Sequence, residues 1–421
     1  MRPMTATEKI LARASGIQEV RPGDTVDAQV NAAMLHENVA WITIQELYAH
    51  FPEVTIPSPE RLVLILDKIP AANLKVAECQ KLLREFAQRT GAPYFYEIGR
   101  GGVQHEVLVE EGHALPGEVL VGSDSHTTMC GALGCFATGI GSTEMIGVML
   151  TGTLWFRVPP TLQIVIQGKM PDCTNGKDII LSLIGQMGTA GALYKAVEFT
   201  GPTITDLSVD SRMTLCTMVL EMGAKNGFIT PDEKTLAYLK GRGKRPFQVI
   251  SPDENAHYER IIPFDVNDLV PKVALPPSPG KVVPVTQAVG EKIDQAFIGS
   301  CAEGRLEDLQ LAARVIKGRH VAPNCRLIII PSSQRVYRDA LKEGLLEVFI
   351  DAGAVVGIPS CGPCGQFDKG VLAARERCIT TSPRNFVGRM GDPSSEVFLA
   401  NAATTAASAL QGSIADPREF V

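Results

Sequence analysis

Residues 61–69, Arg-Leu-Val-Leu-Ile-Leu-Asp-Lys-Ile, contain an apolar run with no polar alternation. A strand with one wet face would alternate, and a membrane span needs roughly 18 apolar residues. The run therefore predicts a short strand buried on both faces, as in parallel sheets covered by helices. Similar runs recur at Tyr94–Ile98, Glu118–Val121, Ala196–Phe199, Gln295–Ile298 and Arg326–Ile330, with a half-buried strand expected over 160–168. Helices are expected between them, over 74–89, 211–225 (carrying Glu221), 230–245, Glu307–Ile316 and Arg335–Glu343, with another opening at Lys177. Such alternation predicts an α/β fold with mostly parallel sheets. Residues 6–48 read as a helix, a Pro22-Gly23-Asp24 turn, a short strand and a helix from about Thr43. His36-Glu37-Asn38 falls in the loop before that last helix.

The chain has 421 residues, enough for two to four domains with ample core. Boundaries are expected near 158, where a new strand begins, and near 280, after the Pro-rich stretch Leu275–Gly280, which reads as a linker. This divides the chain into 1–158, 159–280 and 281–421. A net charge of -6 gives no electrostatic reason to expect nucleic acid or a membrane surface as partner. The N-terminus lacks the apolar core of a signal peptide. Ten cysteines at irregular spacing then predict a reducing, cytoplasmic setting, with thiols free or on metal.

The expected strands end in polar groups: Asp67-Lys68, then His105, then Asp124-Ser125-His126. Ligands of parallel α/β sheets bind beyond the carboxyl ends of strands. Any one cluster is explained by helix capping or a structural histidine; three in succession point to a site. A second signal is Pro359-Ser360-Cys361-Gly362-Pro363-Cys364-Gly365. Its two thiols fit a metal centre, a dithiol redox pair, a zinc half-site or a pair of core cysteines. A third thiol, Cys301, follows Gly299-Ser300 at a strand's carboxyl end, as a ligand should. Cys79, Cys135, Cys216, Cys325 and Cys378 lie in apolar or helical settings and read as core or surface thiols. Three thiolates on a [4Fe–4S] cluster would leave one iron open to a hydroxyl and a carboxylate.

Taken together, Ile298-Gly299-Ser300-Cys301, Cys361-Gly362-Pro363-Cys364, Ser123-Asp124-Ser125-His126-Thr127 and Ser382-Pro383-Arg384-Asn385-Phe386-Val387-Gly388-Arg389 resemble motifs of the aconitase superfamily. Gly141–Met145 and Arg305–Asp308 match as well, and the likeness runs through nearly the whole chain in the same order. It is strongest to separate large subunits of the isopropylmalate dehydratase and homoaconitase type.

The resemblance implies three α/β domains around a [4Fe–4S] cluster held by Cys301, Cys361 and Cys364. It implies a hydro-lyase acting on a hydroxy di- or tricarboxylic acid, with isopropylmalate first and homoaconitate, dimethylmaleate or another substituted malate as alternatives. Asp67, Lys68, His105, Asp124, His126 and Glu221 take the acid–base positions, while Ser125, Arg384 and Arg389 take the substrate-binding positions. The family's swivelling domain, source of a serine base and further arginines, is not found before Val421, so a small partner subunit is expected to bring it.

Several positions depart from the family pattern. Lys68 stands for a histidine, Ala302-Glu303 for Thr-Asn, and Pro383 and Thr217 for asparagines; the early loop reads His36-Glu37-Asn38-Val39. These changes suggest an altered substrate. They also leave a non-catalytic, cluster-bearing sensor as the competing reading.

Overall fold

The apolar runs do form short buried strands, and the computed structural model, which describes residues 2–71, 73–365 and 369–421, assembles them into parallel sheets. The chain gathers into two compact units. The first comprises Met1–Ile166 and Ala192–Phe264, the second Gln167–Gly191 and Asp265–Val421.

The first unit holds a five-stranded parallel sheet in the order Tyr94–Tyr96, Leu62–Ile65, Ala32–His36, Val119–Gly122, Phe136–Gly139. The inner strands Ala32–His36, Leu62–Ile65 and Val119–Gly122 are buried along their whole length, so their side chains are apolar on both faces. From Ala32–His36 the chain builds outward to Tyr94–Tyr96, then returns to add Val119–Gly122 on the other side. The strand order therefore reverses between Ala32–His36 and Val119–Gly122, where such sheets open a ligand crevice. A second sheet of this unit runs Asn226–Ile229, Ala196–Thr200, Thr161–Gln167, Arg260–Asp265. Thr25–Gln29 and Thr153–Arg157 form a small antiparallel ribbon.

The second unit is built on a seven-stranded sheet in the order Val282–Pro284, Lys272–Ala274, Glu396–Leu399, Arg377–Thr380, Gln295–Ile298, Arg326–Ile329, Val355–Val356. The last five are mutually parallel, so their carboxyl ends share one edge. Helices Leu306–Ile316 and Ala402–Gln411 pack on it through Leu309, Ala312, Val315, Ala403, Ala406 and Ala407.

Four local expectations change. His36 ends a strand and Glu37 opens the helix Glu37–His50, so no loop separates them. The helix expected over 211–225 is Val209–Met218, and Glu221 lies on the 3-10 turn Val219–Met222 that follows. Within 230–245 only Glu233–Leu239 is helical. The Pro-rich stretch is the turn of a hairpin, since Lys272–Ala274 pairs antiparallel with Val282–Pro284. Its prolines remove amide donors where the chain reverses, which is why composition alone reads as a linker.

Candidate functional site

In the first unit the polar groups expected at strand ends gather around Asp124. This residue follows Val119–Gly122, and its carboxylate caps the turn Ser125–Leu133 by accepting the His126 amide at 2.8 Å. Asp124 Oδ1 lies 3.2 Å from His105 Nε2 and 3.6 Å from His126 Nδ1. His126 turns its other ring nitrogen, Nε2, to Glu221 Oε1 at 2.9 Å. His105 enters from the helix Gln104–Glu110, which follows the Tyr94–Tyr96 strand, and its ring stands at 90° to that of His126. Both histidines are almost wholly buried, at 1% and 4% exposure, while Asp124 keeps 29% of its side chain exposed. Packing alone would raise the Asp124 pKa; the polar and electrostatic pull of the nearby His105 and His126 imidazoles outweighs it and holds the carboxyl well below its usual range. Ser125 opens the turn beside them, half-buried. A carboxylate–imidazole–carboxylate chain of this kind orients a ring and tunes it to give or take a proton.

Asp67 and Lys68 follow Leu62–Ile65, with Lys68 Nζ 3.3 Å from Asp67 Oδ1. Their backbone amides both donate to the Glu37 carboxyl, at 3.0 and 3.1 Å. His36 Nδ1 approaches Asp67 Oδ1 at 3.8 Å, and the His36 amide donates to Ser123 Oγ across the strand-order reversal. His36, Glu37 and Asp67 have the spacing of a cation site. The Lys68 ammonium already supplies a positive charge there. Burial lowers the His36 pKa and keeps the ring neutral. His36 and Glu37 were not among the expected site residues. The signal that would have found them is the one used elsewhere: a fully apolar strand, Ala32–Leu35, ending in a charged pair.

Burial, then the charge of Asp67, pushes the Glu37 carboxyl up to about 8 from 4.5. Across that window the folded state keeps a proton that the unfolded chain has released. Raising the pH from about 4.5 to about 8 therefore removes stability through this group. The permanently neutral Glu37→Gln variant lacks this dependence. Its stability relative to the native chain is expected to improve steadily from about pH 5 to about pH 8 in urea titrations; parallel pH curves for the two proteins would overturn the assignment.

The second unit carries the thiols. Cys301 lies in the loop after Gln295–Ile298, and Cys361 and Cys364 in the loop after Val355–Val356, both at the carboxyl edge of the parallel strands. The two loops rest on one surface. A Cβ on Gly299 would lie 2.7 Å from the Phe297 ring, and one on Gly362 would lie 2.8 Å from that same ring and 2.7 Å from Ile330 Cδ1. Only glycine allows both loops to approach so closely. Ser300 adopts φ 81°, a conformation unfavourable for a side-chain-bearing residue, so the turn presenting Cys301 is strained. Arg305 fastens that turn, donating to the carbonyls of Cys301 at 2.7 Å and Ala302 at 3.3 Å. Arg384 and Arg389 lie on the loop after Arg377–Thr380, both half-buried. Arg389 donates to Cys364 Sγ at 3.4 Å, and Asn385 ties the loop to the carbonyls of Leu275 and Val397.

The departures from the family pattern are accommodated in the interior. Glu303 is fully buried, and its Oε1 accepts from Asn175 Nδ2 at 2.6 Å. Burial, then Asp308, pushes its carboxyl well above the usual range. Thr217 hydrogen-bonds its own helix at Met213, and Ala302 is buried. Burial raises the pKa of Cys79, Cys130, Cys135, Cys173, Cys216, Cys325 and Cys378, Cys325 to about 12.

Comparison with known proteins places this arrangement. Residues 65–412 match the model of the aconitase family (aconitate hydratase). The large subunit 1 of 3-isopropylmalate dehydratase from Methanopyrus kandleri is 49% identical over 418 residues, covering 99% of each chain. The corresponding large subunit 1 from Pyrococcus furiosus is 48% identical, again with 99% of each chain covered. The large subunit from Desulfitobacterium hafniense is 47% identical, covering 99% of this chain and all of that one. Among solved structures, the holo-form of Thermococcus kodakaraensis aconitase X aligns with a TM-score of 0.48 at 12% identity, over 85% of this chain and 84% of that one, too distant to carry an argument. A full-length likeness near one residue in two, together with a family match across most of the length, means that this chain belongs to the aconitase family.

Proposed function

We propose that this chain is the large subunit of an iron–sulfur hydro-lyase that removes water from a hydroxy di- or tricarboxylic acid and adds it back, with 3-isopropylmalate as first substrate. The observation that carries the reading is the two cysteine loops seated on one Phe297–Ile330 surface, with the Arg389 guanidinium on a sulfur. Three thiols are a soft donor set suited to iron–sulfur binding, and an Arg donor to sulfur suits an anionic thiolate. We assign Cys301, Cys361 and Cys364 as ligands of a [4Fe–4S] cluster. When bound, such a cluster with one iron free of cysteine supplies a Lewis acid for a hydroxyl and a carboxylate.

The protein's own groups supply the rest. Removing a proton beside a carboxylate builds negative charge, and the half-buried guanidinium of Arg384 is assigned to a substrate carboxylate. His126, held between Asp124 and Glu221, and His105, held by Asp124, are assigned to proton delivery at the departing hydroxyl. Ser125 contributes a hydroxyl to the substrate. Asp67 and Lys68 keep a carboxylate and an ammonium where the family pattern has Asp-His. The buried Lys68 thus keeps a cationic hydrogen-bond donor at the histidine's position, which favours a retained reaction over a lost one.

A small subunit bearing the swivelling domain is the expected partner, in keeping with the relatives' designation as large subunits. A cytoplasmic setting is part of the same reading; no helix among the described residues is long and apolar enough to cross a membrane. So is a three-domain division: the separate five-, four- and seven-stranded sheets favour three bodies, with the second boundary ahead of the Lys272–Ala274 strand rather than at 280.

The test is to purify the chain without oxygen together with its small subunit and assay hydration of isopropylmaleate, homoaconitate and dimethylmaleate. Turnover is expected, fastest with isopropylmaleate. A cluster-loaded complex that hydrates none of them would sink the enzymatic reading and leave a sensor in its place.

A further inference from the structure

One buried charge of the second unit has no part in the roles assigned above. Lys177 stands in the first turn of the helix Gly176–Met187, whose N-cap is Asn175. Its side chain is completely buried. The ammonium donates to two main-chain carbonyls, Thr381 at 2.7 Å and Ser382 at 2.9 Å. Among the described residues it has no carboxylate at ion-pair distance. A buried cation without an adjacent anion is a costly arrangement, and carbonyl dipoles offset only part of that cost. Burial works to strip its proton; the negative charges that oppose this are Glu303 first, then the sulfurs of Cys301 and Cys364, then Asp308. Glu303 itself is engaged by Asn175. Thr381, whose carbonyl the ammonium holds, also clasps Gly299 through its hydroxyl, accepting the Gly299 amide at 2.9 Å and donating to the Gly299 carbonyl at 2.8 Å, so the buried cation is fastened to the loop that presents Cys301.

We propose that Lys177 is a fixed positive charge behind the Cys301 loop, one that would steady the thiolate-ligated, oxidised resting state of a bound iron–sulfur cluster against further oxidation and raise its reduction potential. This rests on the reading of Cys301, Cys361 and Cys364 as cluster ligands. The electrostatic logic is general: a cluster's potential follows the net charge and hydrogen bonding around it, and low polarity lengthens the reach of a charge. Arg389 differs in kind, because it donates directly to a sulfur from a half-buried position. Among the described residues Lys177 has no hydrogen bond to a sulfur, and it would act through the field alone. Its bonds to Thr381 and Ser382, just upstream of Arg384, leave a competing structural role as a staple for that loop.

The substitutions Lys177→Gln, Lys177→Met and Lys177→Arg separate the two roles. Gln keeps an amide donor for the carbonyls but removes the charge, Arg keeps the charge, and Met removes both. Each chain is purified and loaded with iron and sulfide without oxygen. Iron content and the electron paramagnetic resonance of the reduced cluster are checked first, with thermal unfolding of the apo chain as the control for folding. The midpoint potential and the rate of cluster loss after a fixed pulse of oxidant are then measured.

The expected result is a potential shifted to more negative values and a severalfold faster loss in Gln and Met, with Arg close to the native chain. A Gln variant with native potential and native oxidation rate would overturn the proposal, as would an Arg variant shifted as far as Gln. A native chain that binds no iron would instead remove the cluster assignment itself, and the role of Lys177 with it.

Discussion

Replacement of Cys364 by serine is expected to lower turnover by about 10^3-fold and to abolish the visible absorption of the cluster. The magnitude follows from what is lost: a metal Lewis acid contributes several kcal/mol to a charged transition state, and each ~1.4 kcal/mol is a factor of ten. The effect should be local. Cys364 lies at 6% exposure in a turn rather than in a hydrophobic cluster, and serine preserves the shape of the side chain. Apo-chain stability is therefore expected to stay within about 1 kcal/mol of the native value. Cys130→Ser is the matched control. Its thiol is fully buried and held protonated, so the variant should lose stability while keeping its iron. Iron analysis and urea unfolding of both variants test the contrast. A Cys364→Ser chain that retains full iron and turnover would end the assignment.

The second large effect is expected at Asp124. An Asn there keeps the cap of the Ser125–Leu133 turn but removes the charge that orders His105 and His126. Loss of a positioned acid–base group is worth about a hundred- to ten-thousandfold in rate, and Asp124→Asn is expected to fall in that range with little change in KM. The variant also carries a stability signature of definite sign. The native carboxyl titrates well below its usual 3.8, so it contributes stability that is fully present above that value and is lost as the pH falls through the depressed one. The deficit of Asp124→Asn should accordingly be full at neutral pH and vanish in acid. Urea unfolding across pH measures it; a deficit that persists unchanged at low pH would show that Asp124 is not held as a charged group by the histidines.

Much of this architecture was readable before any coordinates. Runs such as Leu62–Ile65 and Gln295–Ile298 are too apolar to have a wet face, and a charged pair or a Gly-Ser-Cys sequence at the end of each marks where the strand leaves the sheet. That is why Asp67, Asp124 and Cys301 could be assigned to strand ends. What escaped were places where local pattern and tertiary packing disagree. Asn38, Val39 and Trp41 are weaker helix formers than Ala or Leu, yet the helix Glu37–His50 includes them rather than starting at Thr43; packing of Ala40, Ile44 and Leu47 in the core outweighs their propensity. The prolines at 276 and 277 read as a break because no sequence rule distinguishes a linker from a hairpin turn whose strands are three residues long. Lys177 reads as a helix-start charge and Glu303 as a departure from the family pattern, since only burial by distant segments reveals them as interior groups.

The weak acidity of seven of the ten thiols bears on how such a protein would be matured. Seven of them hold their protons more tightly than free cysteine does, through burial. A carrier handing over iron and sulfide needs thiols that can ionise, and those seven are poor acceptors at physiological pH. Misdelivery to those seven is thereby disfavoured without any recognition of sequence, and stray iron finds few places to lodge.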